Sequence, residues 1–171
     1  MMRKEGKFEF LALLVILVIT IFSMYFVFAD FVDDGTAAQN VTSCGVLNTS
    51  GAVYTLNQSI NSSFDCLTLN ATNITLDCQG YNITYGNASG GFGIAVTGDG
   101  GETGINNVTI RNCYLIQNES ALNESAIFFG GGSENGIAYN NTIITYGNGS
   151  NGITFETSSV RYCKVNVTFI Y

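Results

Sequence analysis

The 171-residue chain has no histidine, no proline, no tryptophan and no Cys-x-x-Cys pair. Without imidazoles or paired thiolates the usual donor sets for zinc are missing, so neither a metal nor another cofactor is expected. Charge is scarce as well, at 11% of residues, with six cations against thirteen carboxylates. Three of those cations are Arg3, Lys4 and Lys7, which leaves only Arg111, Arg161 and Lys164 to face the eleven carboxylates from Asp30 onward. A body of net charge about −8 repels nucleic acid and polygalacturonate unless a cation bridges them. Helical periodicity is missing after residue 30, and so are evenly spaced strands joined by two-residue Asn-Gly hairpins, which counts against an antiparallel sandwich. Apolar residues are plentiful at 46%, which excludes a disordered chain and suits one domain with a modest core.

Residues 1–29 stand apart. The three early cations precede an apolar run of 19 residues, Phe10 to Phe28, close to bilayer-spanning length. Val27-Phe28-Ala29 before Asp30 places small or aliphatic residues where signal peptidase needs them. The segment reads as an N-terminal apolar helix, a signal peptide or a membrane anchor, with its basic start cytoplasmic and Asp30 onward outside. The expected location is extracellular or at the cell surface, with membrane contact through residues 10–28 where the leader is retained. The stretch "RKEGKFEFLALLVILVITIF" also resembles the class III leader of type IV pilins, with Gly6 before the cleavage point and Glu9 near the start of the retained helix. Lys7 departs from that pattern, standing where an apolar residue is common. The resemblance implies a filament subunit assembled through the apolar helix.

Residues 30–43, "DFVDDGTAAQNVTS", carry no apolar period and read as a linker, and residues 44–66 read as an N-terminal cap region. Over residues 67–171, short apolar runs fall into three interleaved series. The first is "ITLDC" from Ile74, "VTIRNC" from Val108, "IAYNNT" from Ile137 and "VRYCKV" from Val160. The second is "LTL" at Leu67, then "GIAV", "AIFF" and "GITF" from Gly93, Ala126 and Gly152. The third is "NITY" at Asn82, "YLI" at Tyr114, "TIIT" at Thr142 and "VNVTF" at Val165. Three strands per turn, repeated about four times, predict an all-β solenoid in which Ile74, Val108, Ile137 and Val160 stack on one face. The outward positions beside them would be Asp77, Arg111, Asn140 and Cys163, with Asp77 and Arg111 an ion pair between neighbouring strands. The spacing varies, and loops such as 97–106 and 117–125 absorb the difference.

These coils, "NITLDCQGYNITYG", "NNVTIRNCYLI" and "ENGIAYNNTII", resemble right-handed parallel β-helix repeat proteins of the pectin-lyase-like superfamily, including NosD-like periplasmic proteins. They are especially similar to Asn- and Thr-rich archaeal surface proteins of that type. The resemblance spans Cys44 to Tyr171 and implies a right-handed parallel β-helix of about four coils. Enzymes of the superfamily cleave polysaccharides with paired carboxylates or with an acidic Ca²⁺ cluster and a cationic base. Neither constellation is readable here, and Asp99 and Glu102 in "TGDGGETG" read as a solvated turn.

Fourteen of the nineteen Asn head an N-x-[ST] sequon, against about four by chance. Those at Asn40, Asn73, Asn82, Asn107 and Asn166 have Val or Ile in the middle and fit strand alternation alone, Asn40 being counted among the acceptors as well. The expected glycan acceptors are Asn40, Asn48, Asn57, Asn61, Asn70, Asn87, Asn118, Asn123, Asn140 and Asn148. Among the five Cys, Cys44 and Cys66 flank the cap region and are expected to bridge, whereas Cys78 and Cys113 read as small buried apolar residues. Together these features predict an exported, non-catalytic surface glycoprotein with a structural, adhesive or glycan-binding role. A polysaccharide lyase or hydrolase, or its truncated remnant, and a pilin-like subunit are the alternatives. The expected partners are envelope glycans or surface proteins, and a second copy of the chain met through the final coil, "KVNVTFIY".

Overall fold

A computed structural model describes residues 30–86, 91–97, 104–118, 123–130, 132–146, 148–156 and, as backbone, 164–170. The leader, Val160, Cys163, Asn87, Asp99 and Glu102 lie outside the described residues. Within them there is no helix. The first seven strands are β1 (Ala38–Val41), β2 (Gly45–Leu47), β3 (Val53–Leu56), β4 (Ile60–Asn61), β5 (Leu67–Leu69), β6 (Thr75–Asp77) and β7 (Asn82–Tyr85). The next seven are β8 (Ile94–Val96), β9 (Thr109–Arg111), β10 (Tyr114–Gln117), β11 (Ser125–Phe129), β12 (Ile137–Ile144), β13 (Asn151–Phe155) and β14 (Lys164–Ile170).

Every pairing between these strands is parallel, which overturns the antiparallel alternative. One sheet has nine strands along the path β1-β3-β6-β9-β12-β10-β7-β4, with β14 on β12; the other runs β13-β11-β8-β5-β2. The nine-stranded sheet is two rows joined by β12. Ile137–Tyr139 pair with β9, and Thr142–Ile144 pair with β10. The bend between them falls at Asn140, the bulged residue opposite β14, whose φ is 54°. From β3 onward the chain visits first row, second row and five-stranded sheet in that order, repeatedly.

Alternation fills the space between the sheets. Leu76, Ile110 and Ala138 are register partners in the first row; Ile83, Leu115 and Ile143 are partners in the second; Leu67, Ile94 and Ile127 are partners in the five-stranded sheet. All nine are fully buried. In the two rows, neighbours at odd steps such as Thr75, Asp77 and Thr84 face outward, as period-2 side-chain direction requires, whereas in the five-stranded sheet the neighbours Ala95 and Ala126 are buried as well.

Ile137 departs from the expected stack by one residue. It pairs with Thr109 and is 36% exposed, so Gly136 occupies the slot in line with Ile74 and Val108. A Cβ at Gly136 would sit 2.6 Å from the Phe129 ring, so this slot is emptied to seat a fully buried phenylalanine.

The stretch expected as a linker carries β1 and a bridge from Phe31 to Gly45, and residues 44–66 supply β2, β3 and β4 to the same rows as later strands. The regular pattern therefore begins well before Leu67. At this end the first-row column stops in polar groups: Leu76 is partnered by Tyr54, and Tyr54 by Gln39, both buried. Asp33 gathers them. Its carboxylate accepts from Gln39 Nε2 and Thr49 Oγ at 2.6 Å each, from the Asn48 N–H at 2.7 Å, from the Thr49 N–H at 3.0 Å, and from the Tyr54 hydroxyl. Burial works against its charge, but the Thr49, Tyr54, Gln39 and Asn48 donors outweigh it and hold the carboxyl well below the usual range.

Two disulfides join neighbouring turns. Cys44 is bonded to Cys66 just ahead of the paired strands β2 and β5, with Cα atoms 4.6 Å apart. Cys78 and Cys113 are also bonded, Cα atoms 4.7 Å apart, where free buried thiols were expected. The bond is possible because both follow register partners, Asp77 and Arg111, by one and two residues at one corner.

Candidate functional site

The corner where the first row turns into the second holds an open groove of about 470 Å³ lined by Gln79, Gly80, Asn112, Cys113, Tyr114, Asn140 and Thr142. The backbone dictates the residue types. Gln79, Asn112 and Asn140 have φ of 50°, 57° and 54°, a region where Asn is the best tolerated residue after Gly, because its short amide bonds locally. The amides then stack. Asn140 Nδ2 donates to Asn112 Oδ1 at 2.6 Å, and Asn112 Nδ2 donates to Asp77 Oδ1 at 2.9 Å. Beneath them Asn141 is buried. It accepts the Cys113 N–H at 2.9 Å and donates to the Ile110 carbonyl at 3.1 Å, satisfying backbone groups that the corner strips of partners.

A charged pair forms the rim. Arg111 Nε lies 2.9 Å from Asp77 Oδ2, an ion pair whose N–H is not aligned as a hydrogen bond, and Arg111 Nη1 donates to the Tyr139 hydroxyl at 3.0 Å. Tyr139, not Asn140, is the register partner of Arg111, the same one-residue difference seen at Ile137. Burial raises the Asp77 pKa, but the Asn112 amide, the Gln79 N–H and the Arg111 charge overcome it, so the carboxylate sits below its ordinary value. Asp77 is therefore a fixed anionic acceptor. Cys113 offers no nucleophile because its sulfur is in the disulfide. The groove walls are thus amide, hydroxyl and phenol groups without net charge, able to donate and accept hydrogen bonds along a shallow surface.

A second polar cluster lies inside the fold. Glu124 is 2% exposed and, among the described residues, neither carboxylate oxygen has a well-formed hydrogen bond; the Tyr85 hydroxyl, also buried, has none. Burial first, and then the charge of Asp65, raise the Glu124 pKa, with the Gly91 N–H easing it slightly. Burial and the Glu124 charge likewise raise Tyr85. Among the described residues no three His, Cys, Asp or Glu lie together as metal ligands.

The expected acceptors are not gathered into one site. Asn40, Asn48, Asn57, Asn61, Asn123 and Asn148 are exposed, Asn70 and Asn118 are half-buried, and Asn140 is exposed but built into the amide ladder. Sequence reasoning missed Gln79, Asn112, Tyr114 and Tyr139; the signal available was the place of Asn112 and Asn140 one residue beyond the register partners Arg111 and Tyr139. Set beside known proteins, the chain matches no family model, no curated protein and no solved structure.

Proposed function

We propose that this chain is an exported, N-glycosylated surface module, folded as a right-handed parallel β-helix, that binds neutral glycans without catalysis. The fold reading is supported by the repeated order of three strand rows, since a strand row whose members are all parallel and one turn apart follows from a chain wound around a single axis. Export is supported by two disulfides, which persist in oxidising compartments. The observation that carries the binding role is the groove of Gln79, Asn112, Asn140, Thr142 and Tyr114. Planar amides and hydroxyls match the paired hydroxyls of a sugar, and an aromatic ring offers its face to the C–H side. The net acidity of the chain disfavours uronic acids.

Titration calorimetry against neutral and acidic oligosaccharides tests the reading. Neutral oligosaccharides are expected to bind and to be recovered intact, with affinity lost in Tyr114→Ala and Thr142→Ala variants that retain their melting temperature. Release of reducing or unsaturated ends would move the chain to the polysaccharide-active alternative, and binding indifferent to both substitutions would remove the groove from the argument.

A further inference from the structure

The sequons separate by geometry into two groups. Asn73 and Asn107 hold φ of 59° and 56° at one corner, and Asn107 Nδ2 donates to Asn73 Oδ1 at 3.0 Å; Asn140 holds the corresponding ladder with Asn112. Each donating Nδ2 points along the stack at its neighbour, in rungs about 4.8 Å apart. One N–H of each such nitrogen is committed to the stack, so a sugar could take only the other position, crowded against the neighbouring turn. Asn40, Asn48, Asn57 and Asn61 are different. All four are exposed, and among the described residues no hydrogen bond involves their side chains.

These four also share a place. Asn40 is in β1, Asn48 follows β2, Asn57 follows β3, and Asn61 is in β4. β1 and β4 are the two ends of the nine-stranded path, and among the described residues their outer edges carry no further strand; β2 ends the other sheet, its edge met by the bridge from Phe31 to Gly45. Exposed apolar side chains collect there too, at Val32, Val46, Val53 and Phe64, the last 58% exposed. An open parallel edge beside apolar side chains is a template for a second chain.

We propose that Asn40, Asn48, Asn57 and Asn61 carry N-linked glycans that form a collar around this open end and block strand addition, while the Asn73–Asn107 and Asn112–Asn140 ladders stay unmodified as parts of the fold. The inference rests on the glycoprotein reading above. The chemistry joins Nδ2 to the anomeric carbon of a lipid-diphosphate-linked oligosaccharide, breaks that carbon's bond to the diphosphate oxygen, and releases the lipid diphosphate and one amide proton. A bulky hydrated chain at four points around one end then does what charged or proline-bearing edges do elsewhere.

The test uses the native chain purified from glycosylating cells, with glycopeptide mass spectrometry and sedimentation. Glycan mass is expected on peptides holding Asn40, Asn48, Asn57 and Asn61 and not on those of Asn107 and Asn140. The Asn40→Gln/Asn57→Gln/Asn61→Gln variant should sediment as multimers with an unchanged melting curve, and Asn148→Gln, a free sequon away from the edge, should sediment as the parent does. Thr42→Ala/Ser63→Ala, which removes two sequons and keeps their asparagines, should shift in the same direction as the triple variant. Glycans on Asn107 or Asn140 with the four bare, or unchanged sedimentation of folded variants lacking the collar, would overturn the inference alone. A chain bearing no glycan anywhere would overturn the glycoprotein reading with it.

Discussion

Asp33 and Glu124 are both carboxylates set against the packed interior, and the fold treats them in opposite ways. Asp33, at the N-terminal end, meets six donors, the Gly35 N–H included, and ties the approach to β1 to the turn after β2. Glu124, just ahead of β11, is nearly inaccessible and its oxygens lack well-formed partners. Burial opposes ionisation in both places, so what differs is the number of dipoles aimed at the charge. A polar group inside a stacked-strand fold stabilises only where the backbone supplies such dipoles, and at Glu124, among the described residues, the Gly91 N–H alone is too little to offset burial.

Replacing each group should make that contrast measurable. Asp33→Ala should lower stability by about 3 kcal/mol at neutral pH, because hydrogen bonds to a charged group are worth roughly 1.5–3 kcal/mol and several are lost together at a partly solvated site. Since the folded-state pKa of Asp33 is depressed, its contribution is complete above the ordinary Asp value of about 3.9 and fades as pH falls toward the lower folded value, so the gap between variant and parent should narrow in acid. Denaturant unfolding across pH reads both effects; an equal gap at every pH would show that the charge is not what binds the network.

Glu124→Gln should move the other way, gaining about 1–2 kcal/mol at neutral pH by removing a poorly partnered buried charge. Here the folded pKa is raised. Stability is complete below the ordinary Glu value of about 4.3 and is lost as pH rises through the folded value, so the gain should disappear in acid. The two tyrosines sharpen the comparison at smaller scale. Tyr54→Phe loses a donor to Asp33 and an acceptor for the Thr49 N–H, and should cost about 1 kcal/mol, whereas Tyr85→Phe removes an unpartnered hydroxyl and should be neutral or slightly stabilising by thermal melt. Smallest is Arg111→Gln at the groove rim: an ion pair with the arginine 36% exposed should be worth a few tenths of a kcal/mol, and less at high salt. A loss several times larger would mean that the rim organises the corner.

The all-β, parallel character was legible because apolar alternation in short runs marks strands, and because runs such as "ITLDC" and "VTIRNC" repeat their neighbours' order. Register was not. Aligning apolar residues put Ile137 where Gly136 stands, since a pattern of hydrophobicity cannot register that a ring from another strand, Phe129, needs the room. The Cys78–Cys113 bond escaped notice because a buried thiol and a bridged one leave the same mark in a sequence. Asp33 lay in a stretch too polar to suggest structure, yet its order comes from hydrogen bonds rather than burial. Asparagine was the hardest to read, because a left-handed corner and a glycan acceptor ask for the same residue, and only the direction of Nδ2 separates Asn107 and Asn140 from Asn57 and Asn61.

The two disulfides have a mechanical consequence. Each joins consecutive turns of the same wall, Cys44 to Cys66 across a separation of 22 residues and Cys78 to Cys113 across 35. A chain drawn out by its ends yields at most about 3.3–3.6 Å per residue released, and neither enclosed span can be released while its bond holds. The described strands after Cys113, β10 to β14, lie outside both enclosed spans and are free to peel away strand by strand under load. Nearer the N-terminus, between Cys44 and Cys113, only the residues between the two spans, 67–77, can be drawn out while both bonds hold. Tension would therefore be taken up as give at one end and grip at the other, and a reducing agent would turn the stiff end into slack.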